Sequence, residues 1–106
     1  MTIAPDARIH VSEQELAIIR RILRESLTGE DVYVFGSRAR GDHRTTSDID
    51  LAISGSLPLS ISTRSKLEFG FSESDLSFKV DVVDLVTADE SFKRIIQADA
   101  IKLRYS

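Results

Sequence analysis

Gly36 and Ser37 follow a short apolar run, and they have the composition of a phosphate-binding turn. A glycine lets the backbone approach a ligand closely because it has no Cβ. If a helix begins at or near Ser37, its unpaired amides and the positive end of its dipole would favour an anion. The serine hydroxyl could donate a further hydrogen bond to the same anion. Taken alone, a Gly-Ser pair after a strand is more often a simple turn.

Asp48 and Asp50 stand two positions apart at the start of a second apolar run. Residues i and i+2 of a strand point to the same face, so the two carboxylates would repel each other and would be desolvated at a cost. Magnesium would compensate, because it prefers hard oxygen ligands and completes its shell with water and substrate phosphates. Taken alone, an Asp-x-Asp pair would be interpreted more simply: Asp48 would end a turn, and Asp50 would lie at an exposed edge.

A third acid is available from Asp81 or Asp84, which lie in the valine-rich run 79–86. An aspartate in such a run is out of place unless it faces a ligand. The two aspartates have opposite parity, so only one can share a face with Asp48 and Asp50, and periodicity does not say which. Three carboxylates can hold two divalent cations, of which one orients a triphosphate and the other activates an attacking hydroxyl. The attack of that hydroxyl on the triphosphate is an in-line displacement, which needs little covalent help from the protein.

Alternating helical and extended patterns predict the elements that must position these acids. Ser12 and Glu15 form a capping box ahead of apolar residues at helical spacing, which predicts a helix over 13–27. Residues 1–11 show no periodicity and are expected to be a loose arm. The order indicates a single α/β domain over 1–106, with helices packed on one sheet. The other predicted elements are strands at 32–35 and 48–53, a helix at 61–73, a strand at 79–86, a helix at 90–100 and a short edge strand at 101–105.

The composition argues against several classes of protein. With 14 Lys+Arg against 17 Asp+Glu, the net charge is −3, whereas a general DNA or RNA binder needs a basic face to replace phosphate counterions. The absence of cysteine excludes disulfides and thiolate metal sites. No apolar run approaches the roughly 18 residues that span a bilayer, and the N-terminus lacks a secretory pattern, so we expect a cytoplasmic protein without membrane contact.

The basic residues are concentrated immediately before the first acidic pair. This stretch could guide a phosphate-bearing small molecule and its metal to the acids, and it contains Arg38, Arg40, His43 and Arg44. His10 and His43 have no second histidine at ligand spacing, so neither is expected to bind a metal. An arginine in this turn could also pair with nearby acids.

Two segments together resemble the signature of the DNA polymerase β-like nucleotidyltransferase superfamily, and look closest to its minimal nucleotidyltransferase (MNT) branch. They are Gly36-Ser37-Arg38-Ala39-Arg40-Gly41 and Ser47-Asp48-Ile49-Asp50-Leu51. The run 79–85 is similar to the third-acid strand of that branch, in which the first aspartate is the metal ligand. The resemblance therefore favours Asp81 over Asp84. The combined pattern spans 33–85 and is highly specific, although each piece alone is not.

The resemblance implies an αβαβαβ core with a mixed sheet and a division of roles among the site residues. Three residues are expected at the nucleotide phosphates: Gly36, Ser37 and Arg38. Three acids are expected to bind two Mg²⁺ ions, and the last of them also helps to deprotonate the acceptor: Asp48, Asp50 and Asp81. The roles of Arg40 and Asp84 stay open.

MNT proteins are often encoded beside a helical HEPN protein, with which they form a toxin–antitoxin pair. In such pairs the MNT protein is the antitoxin, and it transfers AMP from ATP to a tyrosine of the HEPN ribonuclease; the resemblance implies the same role for this chain. We therefore expect a Mg²⁺-dependent nucleotidyltransferase that moves AMP from ATP to an acceptor hydroxyl. A chain of about 100 residues with one modest core offers no obvious wall for the acceptor, so a HEPN-type partner is expected to supply it.

The alternative is a non-catalytic binding module that neutralises a partner toxin by occlusion. The nucleotide preference, the acceptor and the oligomeric state are left open by the sequence.

Overall fold

Four helices and four strands make up the chain in this computed structural model, which describes residues 9–105. Each helix and strand predicted from the sequence is present, with bounds that differ by one or two residues, and a short helix is added directly after Gly36. The order is α1 (Glu13–Ser26), β1 (Asp31–Phe35), α2 (Ser37–Arg40), β2 (Ile49–Ser54), α3 (Ile61–Ser72), β3 (Val80–Asp84), α4 (Glu90–Asp99) and β4 (Ile101–Leu103).

The strands form one sheet in the order β3-β2-β1-β4. β1 is antiparallel to both β2 and β4, whereas β2 and β3 are parallel. A parallel pair needs a crossover connection, and α3 supplies it between β2 and β3. The sheet is therefore mixed, and the predicted α/β fold class is confirmed.

The core lies between one face of the sheet and the helices α1 and α3. α1 begins at the predicted capping box: the Ser12 hydroxyl accepts from the Glu15 amide at 3.0 Å, and the Glu15 carboxylate accepts from the Ser12 amide at 2.7 Å. Alternate residues of β1 and β2 are fully buried on this face, which leaves their other residues for the opposite face. The core includes Ile19, Leu23, Val32, Val34, Ile49, Leu51, Ile53 and Leu67.

Gly70 lies inside α3, where glycine costs about 1 kcal/mol of helix stability relative to alanine. A Cβ at this position would lie 2.9 Å from Cγ2 of Ile22 in α1. Ile22 is buried and β-branched, so it cannot move aside easily. The glycine therefore permits the close approach of α3 to α1.

The predicted loose arm is wrong for residues 9–11. Ile9 is buried in the core, and the His10 amide donates to the Arg38 carbonyl at 2.9 Å. The prediction failed because it relied on periodicity, and a single apolar residue that anchors a segment has none. Residues 1–8 of the predicted arm lie outside the described residues.

α4 packs on the other face of the sheet, against β1. Asp89 caps its first turn, accepting from the Phe92 amide at 2.8 Å. The Phe92 ring meets the Phe35 ring edge to face, with 6.2 Å between the ring centroids. Across residues 9–105, no helix is both long enough and apolar enough to span a membrane.

Candidate active site

The register of the sheet brings two of the three predicted acids, Asp50 and Asp81, to one face. Asp50 of β2 pairs with Asp81 of β3 in the parallel ladder, and with Phe35 of β1 on its other side. Neighbouring strands lie about 4.8 Å apart, so residues paired in this way are adjacent and point to the same face. Asp48 precedes β2 and lies two positions before Asp50. Its charge raises the pKa of Asp50, so Asp48 lies near the Asp50–Asp81 pair at the start of the two parallel strands.

Burial and repulsion both act on Asp50. The pKa of its carboxyl is raised above the ordinary value, first by burial, then by the charge of Asp81 and that of Asp48. The nearby charge of Arg40 lowers the same pKa and offsets only part of these effects. Asp50 is therefore a carboxylate whose ionised form is disfavoured in the folded protein, and a cation would relieve this.

Asp84 lies on the opposite face, where it pairs with the core residue Ile53. It is only 7% exposed, and its two carboxylate oxygens accept separate backbone hydrogen bonds, from the Leu59 amide at 2.8 Å and the Val86 amide at 3.0 Å. The bond from Leu59 connects β3 to the loop that precedes α3, and the bond from Val86 lies within the turn that follows β3. The register of β2 and β3 thus places Asp81, and not Asp84, on the face of Asp50, a choice that periodicity in the sequence left open.

The Gly36 turn adjoins the acids. Gly36 has φ 77° and ψ −155°, a conformation that is essentially restricted to glycine. A Cβ at this position would collide with the Asp50 carboxylate. α2 begins immediately afterwards at Ser37, and the Gly36 carbonyl accepts from the amides of Ala39 and Arg40. The turn and the Asp50 carboxylate are thus immediate neighbours, with no room for a side chain between them.

The two arginines of α2 have different surroundings. Arg40 is exposed and forms ion pairs with Asp42 at 3.2 Å and with Asp99 of α4 at 3.1 Å. Its hydrogen bonds to Asp99 and Asp42 raise its own pKa. Arg38 is only 4% exposed, and its guanidinium donates to backbone carbonyls. The predicted role of Arg38 at the nucleotide phosphates stays a prediction, and these bonds direct its guanidinium to the protein backbone.

The donor set suits magnesium better than a fully caged metal. Within residues 9–105, no three His, Cys, Asp or Glu side chains are grouped so that they could hold a metal ion by themselves. Magnesium does not need such a group, because it is usually bound by one or two carboxylates together with water and substrate phosphates. The adjacent carboxylates of Asp50 and Asp81 fit this requirement, as does the nearby carboxylate of Asp48.

His10 and His43 form a contact that the sequence reasoning missed. Their ring centroids are 5.4 Å apart, with the planes tilted by 36°. The Nδ1 atom of His43 is buried and makes no hydrogen bond within the described part of the chain. The two residues are far apart in sequence, so no local pattern could have indicated the contact.

The fold and the acid face define a nucleotidyltransferase. The family described as polymerase beta, nucleotidyltransferase matches residues 17–104, and the chain belongs to this family. It is 41% identical over 91 residues to a probable protein adenylyltransferase, MntA, of Haemophilus influenzae (strain ATCC 51907 / DSM 11121 / KW20 / Rd). That match covers 86% of this chain and 80% of the relative. The resemblance to the MNT branch is thereby confirmed.

Solved structures of MNT proteins share the fold. A crystal structure of a toxin–antitoxin with AMP-PNP is similar with a TM-score of 0.70 and 29% identity, covering 86% of this chain and 73% of that chain. A structure of the tri-AMPylated Shewanella oneidensis HEPN toxin in complex with its MNT antitoxin is similar with a TM-score of 0.63 and 26% identity. That match covers 88% of this chain and 73% of the other.

Proposed function

We propose that this nucleotidyltransferase is an antitoxin that transfers AMP from ATP to a hydroxyl group of a helical HEPN-type partner protein. The observation that carries the proposal is the pairing of Asp50 with Asp81 beside the Gly36 turn. The MntA relative, the AMP-PNP complex and the AMPylated HEPN toxin support the choice of adenylyl transfer and of this class of partner.

In the proposed reaction, the acceptor oxygen attacks the α-phosphorus of ATP and the bond from that phosphorus to the pyrophosphate oxygen breaks. The products are an AMP ester and pyrophosphate, and the acceptor hydroxyl loses its proton. Asp48, Asp50 and Asp81 would hold Mg²⁺, which when bound supplies positive charge to the triphosphate and makes the acceptor hydroxyl more acidic. The amides and hydroxyl at Gly36 and Ser37 bind the phosphates and fix their orientation.

Asp81 is the acid best placed to receive the acceptor proton. It lies on β3, at an edge of the sheet, and its side chain is exposed, whereas Asp48 and Asp50 are partly buried. An acceptor hydroxyl that arrives from solvent therefore reaches Asp81 without a rearrangement of the core. A general base must lie within hydrogen-bond reach of the proton that it removes, and this position permits that.

The sheet face that carries Asp50 and Asp81 is open to solvent, which supports a protein acceptor. Phe92 and Ile95 of α4 are 37% and 65% exposed, and Phe92 contacts Phe35, the neighbour of Asp50 in the sheet. Exposed apolar side chains beside a reactive site are typical of a surface that a partner covers. A partner that docks here would bring its hydroxyl to Asp81 and would exclude water from the phosphates.

The test is a transfer assay with radiolabelled ATP, Mg²⁺ and a HEPN-type partner protein. We expect the label to appear on the partner with the unaltered chain and to be lost with Asp48→Asn. Asp75→Asn, an exposed aspartate in the turn before β3, is the matched control and should transfer normally. If the unaltered chain neutralises its partner without labelling it, and Asp48→Asn neutralises it equally well, the alternative of occlusion replaces the proposal.

A further inference from the structure

The side chain of Arg38, a residue of α2, contacts the loop that carries Asp48. Its side chain is almost fully buried, and its guanidinium carbon lies 4.1 Å from the centroid of the Phe78 ring. The guanidinium nitrogens donate to four backbone carbonyl oxygens: Ser47 at 3.1 Å, His10 at 3.0 Å, Thr45 at 3.2 Å and Arg44 at 3.5 Å. One side chain of α2 is thus bonded to two segments that have no regular secondary structure of their own.

A buried cation is costly unless its hydrogen bonds are satisfied. No carboxylate pairs with Arg38 among residues 9–105, so carbonyl dipoles and the Phe78 ring provide its stabilisation. A lysine could not replace it, because an ammonium group is a point charge whereas the planar guanidinium reaches several acceptors at once. The contacts therefore require an arginine at this position.

The bond from Arg38 to the Ser47 carbonyl holds the backbone immediately before Asp48. On the other side of Asp48, the Ile49 amide donates to the Lys79 carbonyl at 3.0 Å. The loop is closed further by the Arg44 amide, which donates to the Ser47 hydroxyl at 2.8 Å. The backbone of Asp48 is thus held from both sides, by α2 and by the residue that precedes β3.

We infer that Arg38 is a positioning residue that fixes Asp48 relative to the phosphate-binding turn at Gly36 and Ser37. Arg38 follows Ser37 directly in α2, so its side chain connects the turn to the acid across the loop. In this role the guanidinium binds the protein backbone and not the nucleotide. The inference deepens the proposed adenylyl transfer and rests on it for its kinetic consequences.

The test compares Arg38→Lys and Arg38→Met with the unaltered chain. Steady-state transfer gives kcat and the KM for ATP, and amide hydrogen exchange is followed residue by residue in the nucleotide-free protein. We expect kcat to fall about 10- to 100-fold, because a misplacement of the order of 1 Å has effects of this size. The KM for ATP should change by less than about threefold, and exchange should accelerate at residues 44–48 while α1 keeps its protection.

Arg21→Lys is the matched control, because Arg21 is exposed on α1 and pairs with Glu25 of the same helix at 3.8 Å. It should leave kcat, KM and exchange unchanged. Ser47→Ala is a second variant, which loosens the same loop without touching the buried cation. We expect it to lower kcat a few-fold and to accelerate exchange in the same segment, and it decides the matter if the Arg38 variants do not fold.

Two results overturn the inference. A KM for ATP raised tenfold or more, with exchange at residues 44–48 unchanged, would make Arg38 a nucleotide contact. Exchange that accelerates throughout the chain, with kcat per folded molecule unchanged, would make it an ordinary core residue. If the unaltered chain transfers no AMP, the proposed function fails, and the exchange data alone still test whether Arg38 holds the loop.

Discussion

Asp50 and Asp81 lie side by side on neighbouring parallel strands, with their carboxylates on the same face of the sheet. The pKa of Asp50 is raised by burial and by the charges of Asp81 and Asp48. Without a cation, this arrangement opposes folding at neutral pH, because it places a poorly solvated charge beside another of the same sign. The site is therefore arranged for a cation and not for the stability of the cation-free chain.

Asp50→Asn should separate stability from activity. Removal of the charge relieves the repulsion, so we expect the Tm of the protein in EDTA to rise. Transfer of AMP in Mg²⁺ should fall by about 100-fold or more, because a group that stabilises the reacting charges is lost. The measurements are thermal denaturation and the transfer assay, with Asp75→Asn as the control. A variant that melts earlier than the unaltered chain in EDTA would contradict this account of Asp50.

The stability of the cation-free protein should depend on pH through Asp50. Its pKa is higher in the folded than in the unfolded chain, so within the window between the two values the folded state binds more protons. The contribution of Asp50 to the free energy of unfolding therefore falls as pH rises from the ordinary aspartate value of 3.8 through the raised value. Denaturant unfolding in EDTA at several pH values, for the unaltered chain and for Asp50→Asn, measures this effect. The slope of the free energy of unfolding against pH in that window should be less negative, or more positive, for Asp50→Asn, and equal slopes would assign the pH dependence to other groups.

The sequence predicted the order of helices and strands, apart from the short α2, because that order depends on local pattern, and the spacing of the acids made them candidates in the same way. Periodicity could not choose between Asp81 and Asp84, and only the family resemblance favoured Asp81, since the choice depends on which residue of β2 each one faces and pairing between strands is not a local property. The surroundings of Arg38 were also out of reach, because its acceptors are backbone carbonyls, which every residue type carries. Ile9 was missed for a related reason, because one buried side chain forms no pattern.

Asp84→Asn should destabilise the protein without abolishing the chemistry. Its two oxygens each accept from a different backbone amide, so an asparagine NH₂ group would face one of these donors. We expect a loss of about 1–3 kcal/mol in the free energy of unfolding, because one part-buried donor is left without an acceptor. Below its lowered Tm, the variant should transfer AMP at a rate within about threefold of the unaltered chain. A threefold change in rate corresponds to only a small change in the activation free energy.

Asp81→Asn is the matched comparison for Asp84→Asn. It should fold at least as well as the unaltered chain, because its side chain is exposed and one of the repelling charges is removed. It should nevertheless transfer AMP about 100-fold more slowly. Denaturant unfolding and the transfer assay on both variants are the measurements. If the two variants exchanged these phenotypes, the assignment of Asp81 to the site and of Asp84 to the scaffold would be wrong.

Gly36→Ala should lower both the stability and the activity of the protein, because the same added methyl group affects both. The backbone at Gly36 has a conformation that costs other residues about 1–3 kcal/mol, and the added methyl group collides with the Asp50 carboxylate. We expect the free energy of unfolding to fall by at least that backbone cost. Transfer should fall by about 100-fold, because the displaced carboxylate no longer adjoins the phosphate-binding turn.

Gly55→Ala is the control for this substitution. Gly55 follows β2 and does not have a positive φ, and a Cβ there would approach the flexible side chain of Glu30 at 3.1 Å. It should therefore change stability by less than about 1 kcal/mol and leave transfer intact, since a surface side chain can move aside. Denaturant unfolding and transfer kinetics on the two variants compare a glycine that the site requires with one that it does not. Equal effects would mean that the contact between Gly36 and Asp50 has no special role in the reaction.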